Sequence, residues 1–252
     1  MSEKCAVILA GGEGKRMKSD KPKTLSAVIG KPMLDWVIGA LIKSGIDKIC
    51  VIKGYKKECI EEHLSSLPYE ISSVFQAQRL GTGHAVMMAK DFLSKNGGDV
   101  IVLNGDAPFM DSATISQAYE QHNSTDSSAT VISAKVENPF GYGRIVRAED
   151  GSLKTIVEQK DADEETIAIK EVNSGGFWFD TNDLLSVLDR ISSNNAANEY
   201  YLPDALKLLL NDGKKVGAYT AASSDTVLGA NDPAQLAELN KIALEKYGEF
   251  PY

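Results

Sequence analysis

Apolar runs alternate with helical patterns through the first half of the chain, which predicts strands near 5–9, 48–53, 71–76, 99–104 and 129–135. Such alternation is the signature of βαβ units and a mostly parallel sheet. Between them, Met33, Leu34, Val37, Leu41 and Ile42 recur at helical spacing, as do Ala85, Val86, Ala89 and Leu93. Such stripes would lie on the sheet as crossovers. The alternation predicts an α/β class with a mixed, mainly parallel central sheet flanked by helices, Rossmann-like in organisation. After residue 136 the pattern shifts to short β-rich pieces at 144–147, at 153–158 beyond the turn Glu149-Asp150-Gly151-Ser152, and at 172–179. These predict a small antiparallel β subregion, lid-like beside the main sheet. Helical patterns return at 181–191, 203–212 and 232–247. No proline- or glycine-rich linker interrupts the chain, which predicts a single domain over 1–252.

Composition narrows the class. With 252 residues, 43% apolar and 25% charged, the chain can bury a full core, and its net charge of −8 argues against a nucleic-acid partner. No stretch approaches the ~20 apolar residues of a membrane span and no signal-peptide pattern opens the chain, so the expected location is cytoplasmic. Cys5, Cys50 and Cys59 are odd in number and form no Cys-x-x-Cys pair, as expected of reduced thiols.

Against this acidic background one segment is cationic. The first apolar run empties into Leu9-Ala-Gly-Gly-Glu-Gly-Lys-Arg-Met, followed by Lys23. Glycines 11, 12 and 14 let backbone N–H groups approach an anion, while Lys15, Arg16 and Lys23 bring compensating charge. The spacing matches neither a Walker A loop nor a dinucleotide fingerprint. An ordinary strand-to-helix turn would also use glycine here, but the three cations favour a triphosphate cradle.

Two further segments fall at strand ends, where open α/β sheets bind ligands. Asp106, in Asn104-Gly105-Asp106, suits Mg²⁺ beside a triphosphate, and equally suits a turn with Pro108 or a cap for a helix near Ser112. In Gln76-Ala-Gln-Arg-Leu-Gly-Thr-Gly-His84, Gln76 or Gln78 can offer both a donor and an acceptor to a uracil edge, or can simply be a surface amide. Thr82 stands at a helix-cap position, and His84 reads as structural.

With Gly141-Tyr-Gly-Arg-Ile145, Val157-Glu-Gln-Lys-Asp161, Val172-Asn-Ser-Gly175, Glu199-Tyr-Tyr201 and Gly229-Ala-Asn231 added in order, the chain resembles the uridylyltransferase domain of bacterial N-acetylglucosamine-1-phosphate uridylyltransferases over nearly its whole length. The resemblance implies the nucleotide-diphospho-sugar transferase fold, with a nucleotide-binding part at 1–135, a sugar-binding part at 136–231 and a C-terminal helix at 232–252. It implies that Leu9, Ala10, Gly11 and Gly12 contact nucleotide through backbone, that Gln76, Gly81 and Thr82 read uracil, and that Arg16 and Lys23 are catalytic cations. Gly143, Glu158 and Asn173 would meet the amino sugar, and Asp106 and Asn231 would bind Mg²⁺. Lys15 stands where the family usually has threonine; Asn104 and Pro203 replace a tyrosine and a threonine near the sugar and its phosphate.

The implied reaction is Mg²⁺-dependent uridylyl transfer from UTP to N-acetylglucosamine 1-phosphate, with pyrophosphate leaving. Alternatives are another sugar 1-phosphate or nucleobase, or a non-catalytic nucleotide-sugar binding module. The acetyltransferase β-helix that often follows in the family has no counterpart among these residues, which predicts no acetyl transfer and a monomer or homodimer.

Overall fold

The architecture was analysed in a computed structural model that describes residues 3–252. Strand β1 (Lys4–Ala10) is buried from Cys5 through Ile8, as a strand covered on both faces must be. The chain then crosses a loop with two short strands, β2 (Ala27–Val28) and β3 (Lys31–Pro32), into helix α1 (Met33–Lys43). Strand β4 (Ile49–Lys53), helix α2 (Lys57–Ser65) and strand β5 (Ile71–Phe75) follow. The expected crossover around 85–93 is two helices, α3 (Thr82–Met87) and α4 (Lys90–Asn96), before strand β6 (Asp99–Asn104). Helix α5 (Ser112–Ser124) leads to strand β7 (Ala129–Lys135).

Strands β8 (Arg144–Arg147) and β9 (Leu153–Val157) form a hairpin, and a short helix α6 (Glu164–Ile167) precedes strand β10 (Glu171–Asp180). Helices α7 (Thr181–Leu188) and α8 (Pro203–Asn211), strand β11 (Val216–Thr220) and helix α9 (Pro233–Tyr247) complete the order. The main sheet runs β11-β7-β10-β6-β1-β4-β5; β1 is parallel to β4 and β6, β5 to β4, and β11 to β7.

Strand β10 corrects the expectation that 172–179 belongs to a separate lid. Residues 177–180 lie antiparallel to β6 in the centre of the main sheet, with Phe177, Trp178 and Phe179 buried. Three consecutive aromatics occupy both faces of a strand at once, which only a doubly covered position accommodates. A register shift between Asn173 and Gly176 divides the strand, so its first part reaches the hairpin while its second part lies in the core. Helix α9 returns to the start of the chain: Trp36 of α1 meets the rings of Phe109, Tyr247, Phe250 and Tyr252, and Asn240 accepts a 2.7 Å bond from the Ile29 amide.

Among the described residues, no helix is long and apolar enough to cross a membrane. The three cysteines are free thiols, and burial pushes those of Cys5 and Cys50 up to about 12, as expected of core packing.

Candidate active site

Because β1, β4, β5 and β6 are parallel, their C-terminal ends share one rim. The backbone ties the loops there: the Gly105 amide donates to Leu9 O at 3.0 Å, Tyr55 to Gly11 O at 3.1 Å, and Gln76 to Lys53 O at 2.8 Å. Two adjacent cavities open on this rim, of about 480 and about 430 Å³. The first is lined by Leu9, Gly11, Gly12, Lys15, Arg16, Lys23, Gln76, Gly81 and Thr82; the second by Gly143, Glu158 and Asn173. Asp106 and Asn231, with Leu9, Arg16, Thr82 and Asn104, line both. The expected site residues therefore converge, except that Ala10 is fully buried and outside both linings.

In the first loop Gly14 takes a left-handed conformation (φ 63°), after which one turn of 3-10 helix (Lys15–Met17) drops Met17 into the core against the Trp36 cluster. A second such turn (Lys23–Leu25) aims Lys23 across the rim, where its ammonium pairs with Asp106 and donates to Asn231 Oδ1 at 2.7 Å. Asp106 is no helix cap: α5 is capped by Asp111, which accepts from the Thr114 amide at 2.7 Å. The Lys23 ammonium marks the point on which a carboxylate and an amide oxygen both converge. Such a pair of oxygens, open to phosphate and water on the cavity side, fits a hard divalent cation.

Gln76 is 4% exposed and Gln78 is exposed, so Gln76 is the amide at the cavity. Its Nε2 donates to Gly81 O at 3.1 Å and meets His84 Nδ1 at 3.0 Å. Both amide hydrogens are thereby engaged, and Oε1 lies over Gly11, 3.0 Å from where a Cβ there would sit. The expectation of a donor and acceptor together is corrected: Gln76 offers the cavity an acceptor, suited to a base carrying a ring N–H. His84 is structural in that it orients this amide. Thr82 is no cap either. Gly81 holds that position at φ 111°, where a side chain would meet Tyr200 O at 2.6 Å, and Thr82 Oγ1 accepts from the Leu202 amide at 3.0 Å.

At the second cavity, a Cβ on Gly143 would sit 2.9 Å from a Glu158 oxygen, so any side chain there would push the carboxylate aside. Burial, then Asp161, Asp204 and Glu199, push the Glu158 carboxyl above its ordinary range against the pull of Arg144. Arg144 is 1% exposed and was assigned no role from sequence. Its guanidinium donates to Tyr142 O, to Gln159 Oε1 at 2.9 Å and to Ile167 O at 3.4 Å, bracing the loop around Gly143. A second brace is Arg147, whose Nε and Nη2 grip the Glu171 carboxylate at 2.8 and 2.6 Å. Burial alone would raise the Glu171 carboxyl, but the bonds from Arg147, Ser133 and Thr220 outweigh it and hold it below its ordinary range. Sequence reasoning also missed Arg79, which lines the first cavity and pairs with Glu13 at 3.1 Å, and Thr24, whose buried hydroxyl there has no partner. A cation inside the 76–84 segment was the available signal for Arg79.

A family profile described as nucleotidyl transferase matches residues 5–226. The chain belongs to the nucleotidyl transferase family. Proteins named "Bifunctional protein GlmU" are 46% identical over 237 residues in Acetivibrio thermocellus, 46% over 239 in Clostridium beijerinckii and 40% over 246 in a Geobacillus species. These alignments cover 94%, 95% and 98% of this chain but 51%, 52% and 53% of the relatives, so the chain spans about half their length. A crystal structure from Bacillus anthracis, provisionally a glucose-1-phosphate thymidylyltransferase and solved with sucrose, superimposes with a TM-score of 0.77 at 20% identity over 95% of each chain. That likeness establishes the nucleotidyl transferase fold, in agreement with the sheet predicted from sequence.

Proposed function

We propose that this nucleotidyl transferase carries the uridylyl group of UTP to N-acetylglucosamine 1-phosphate, releasing pyrophosphate and giving UDP-N-acetylglucosamine. The supporting observation is the convergence of Lys23, Asp106 and Asn231 on the rim common to the two cavities. A nucleotide on the loop of Gly11, Gly12 and Arg16 would place its α-phosphate there, facing a sugar phosphate in the second cavity. Gln76 Oε1 would accept from the ring N–H of uracil, an interaction cytosine cannot return. Glu158 and Asn173 would bond the sugar hydroxyls.

No protein nucleophile is needed. A phosphate monoester with a second pKa of about 6 is largely dianionic at neutral pH, so its oxygen attacks the α-phosphorus while the bond to the β-phosphate oxygen breaks. Arg16 and Lys23 would hold the phosphates in line and neutralise charge growing on the α-phosphoryl oxygens and the leaving pyrophosphate. Asp106 and Asn231 would hold Mg²⁺, which supplies Lewis-acid charge stabilisation at the phosphates. Lys23 would then exchange its present partners for phosphate oxygen.

Pyrophosphate release with UTP, TTP, GTP and CTP against a panel of sugar 1-phosphates tests the reading. UTP with N-acetylglucosamine 1-phosphate should be the best pair. Equal turnover with CTP overturns the role of Gln76, and preference for another sugar 1-phosphate replaces the acceptor alone.

A further inference from the structure

Phe140 is 77% exposed, the highest value among the large apolar side chains described, and its ring meets no other aromatic ring among the described residues. It is nevertheless held in place. Its own amide donates to Asn138 Oδ1 at 3.1 Å, that of Gly141 to Gln159 Oε1 at 3.0 Å, and that of Tyr142 to Pro139 O at 3.2 Å. Gln159 Oε1 is fixed in turn by buried Arg144 at 2.9 Å. Three successive N–H groups thus have acceptors, and the turn presents the phenyl ring at the wall of the second cavity. The same cavity is lined by polar groups, among them Glu158 and Asn173.

A cavity lined both by an aromatic ring and by hydrogen-bonding side chains matches a hexopyranose. Such a ring carries hydroxyls around its edge and a face of C–H groups, and an aromatic ring offers that face dispersion contact and a negative quadrupole for its slightly positive hydrogens. We propose that Phe140 is a stacking platform for the pyranose of the sugar 1-phosphate and fixes the acceptor as a hexopyranose 1-phosphate. This rests on the function proposed above.

The test compares Phe140→Ala and Phe140→Trp with the wild-type protein, by kinetics and by calorimetric titration with N-acetylglucosamine 1-phosphate, UDP-N-acetylglucosamine and UTP. The alanine variant should melt with the wild type, because the ring is exposed. Its KM for the sugar 1-phosphate, and its Kd for both sugar ligands, should rise roughly three- to tenfold with UTP unaffected. The tryptophan variant should stay within about twofold of wild type, having kept a ring face. Unchanged sugar affinity in the alanine variant, or an equal loss for UTP, overturns the platform. Sugar binding without turnover in the wild type overturns the transfer reaction and leaves the platform to be judged by titration; no sugar binding by the wild type overturns both.

Discussion

The two cavities are held in different ways. Around the cavity proposed to take the nucleotide, the site residues sit at the ends of β1, β5 and β6, in or beside a mainly parallel sheet, and the loops are tied by backbone hydrogen bonds. Around the cavity proposed to take the sugar, the β8–β9 hairpin joins the main sheet through one registered pair, Val172 with Arg144, and the adjoining Asn173 amide bond to Gly143 O at 2.9 Å, and much of the remaining hold comes from side chains. The nucleotide cavity should therefore respond to changes in residues that touch ligand. The sugar cavity should respond to residues that touch nothing but the frame.

The largest expected effect lies at the shared rim. Asp106→Ala should lower kcat by more than about 10³ and leave the melting temperature near wild type, because the carboxylate is partly exposed and caps no helix. A variant that keeps its turnover across a Mg²⁺ titration would move the metal site elsewhere. Lys23→Ala should cost roughly 10² to 10³ in kcat with a smaller change in the KM for UTP, as for a group that acts on developing charge. A loss confined to KM would make Lys23 a binding cation, and the nucleotide side a passive cradle.

The frame is tested by Arg147→Met, which leaves buried Glu171 with hydroxyl partners alone. Stability should fall by about 1–3 kcal/mol in chemical denaturation, and the KM for the sugar 1-phosphate should rise while that for UTP holds. Equal changes in both constants would erase the contrast between the two sides.

The smallest effect concerns pH. Glu158 has a raised carboxyl in the folded protein, so ionising it works against folding: its proton is lost more easily from the unfolded chain. Glu158→Gln should match wild type near pH 4 and become the more stable protein as pH rises above the ordinary value of 4.5, checked by melting from pH 4 to 8. Parallel melting profiles would show that the carboxyl is well solvated.

Legibility from sequence divides along the same line. The glycine-rich loop after β1 stands out in sequence because glycine spacing and adjacent cations depend on a few neighbouring residues, and it lines the first cavity. Strands β1, β4, β6 and β7 could be read because both faces are largely buried, leaving apolar runs, and β5, which is only partly buried, was legible from its place between two helical patterns. Strand β10 was misplaced because a short aromatic run states that both faces are covered without stating by what; only the sheet order puts it between β6 and β7. Strand β11 and helix α2 were missed, the first being a partly buried edge strand and the second anchored by little more than Ile60 and Leu64. Gln76 lines the first cavity, and its hydrogen-bonding polarity there is set by Gly81 and His84. The braces Arg144 and Arg147 were invisible as such, since the side chains they hold, Gln159 and Glu171, lie 15 and 24 residues away.

The bond between Lys23 and Asn231 spans 208 residues, one partner near the start of the chain and the other just before its last helix. A ribosome therefore delivers the phosphate loop early and the final oxygen of the rim late. The rim is thus complete only once the residues just before α9 are in place, and α9 itself closes back onto Trp36 of the first helix.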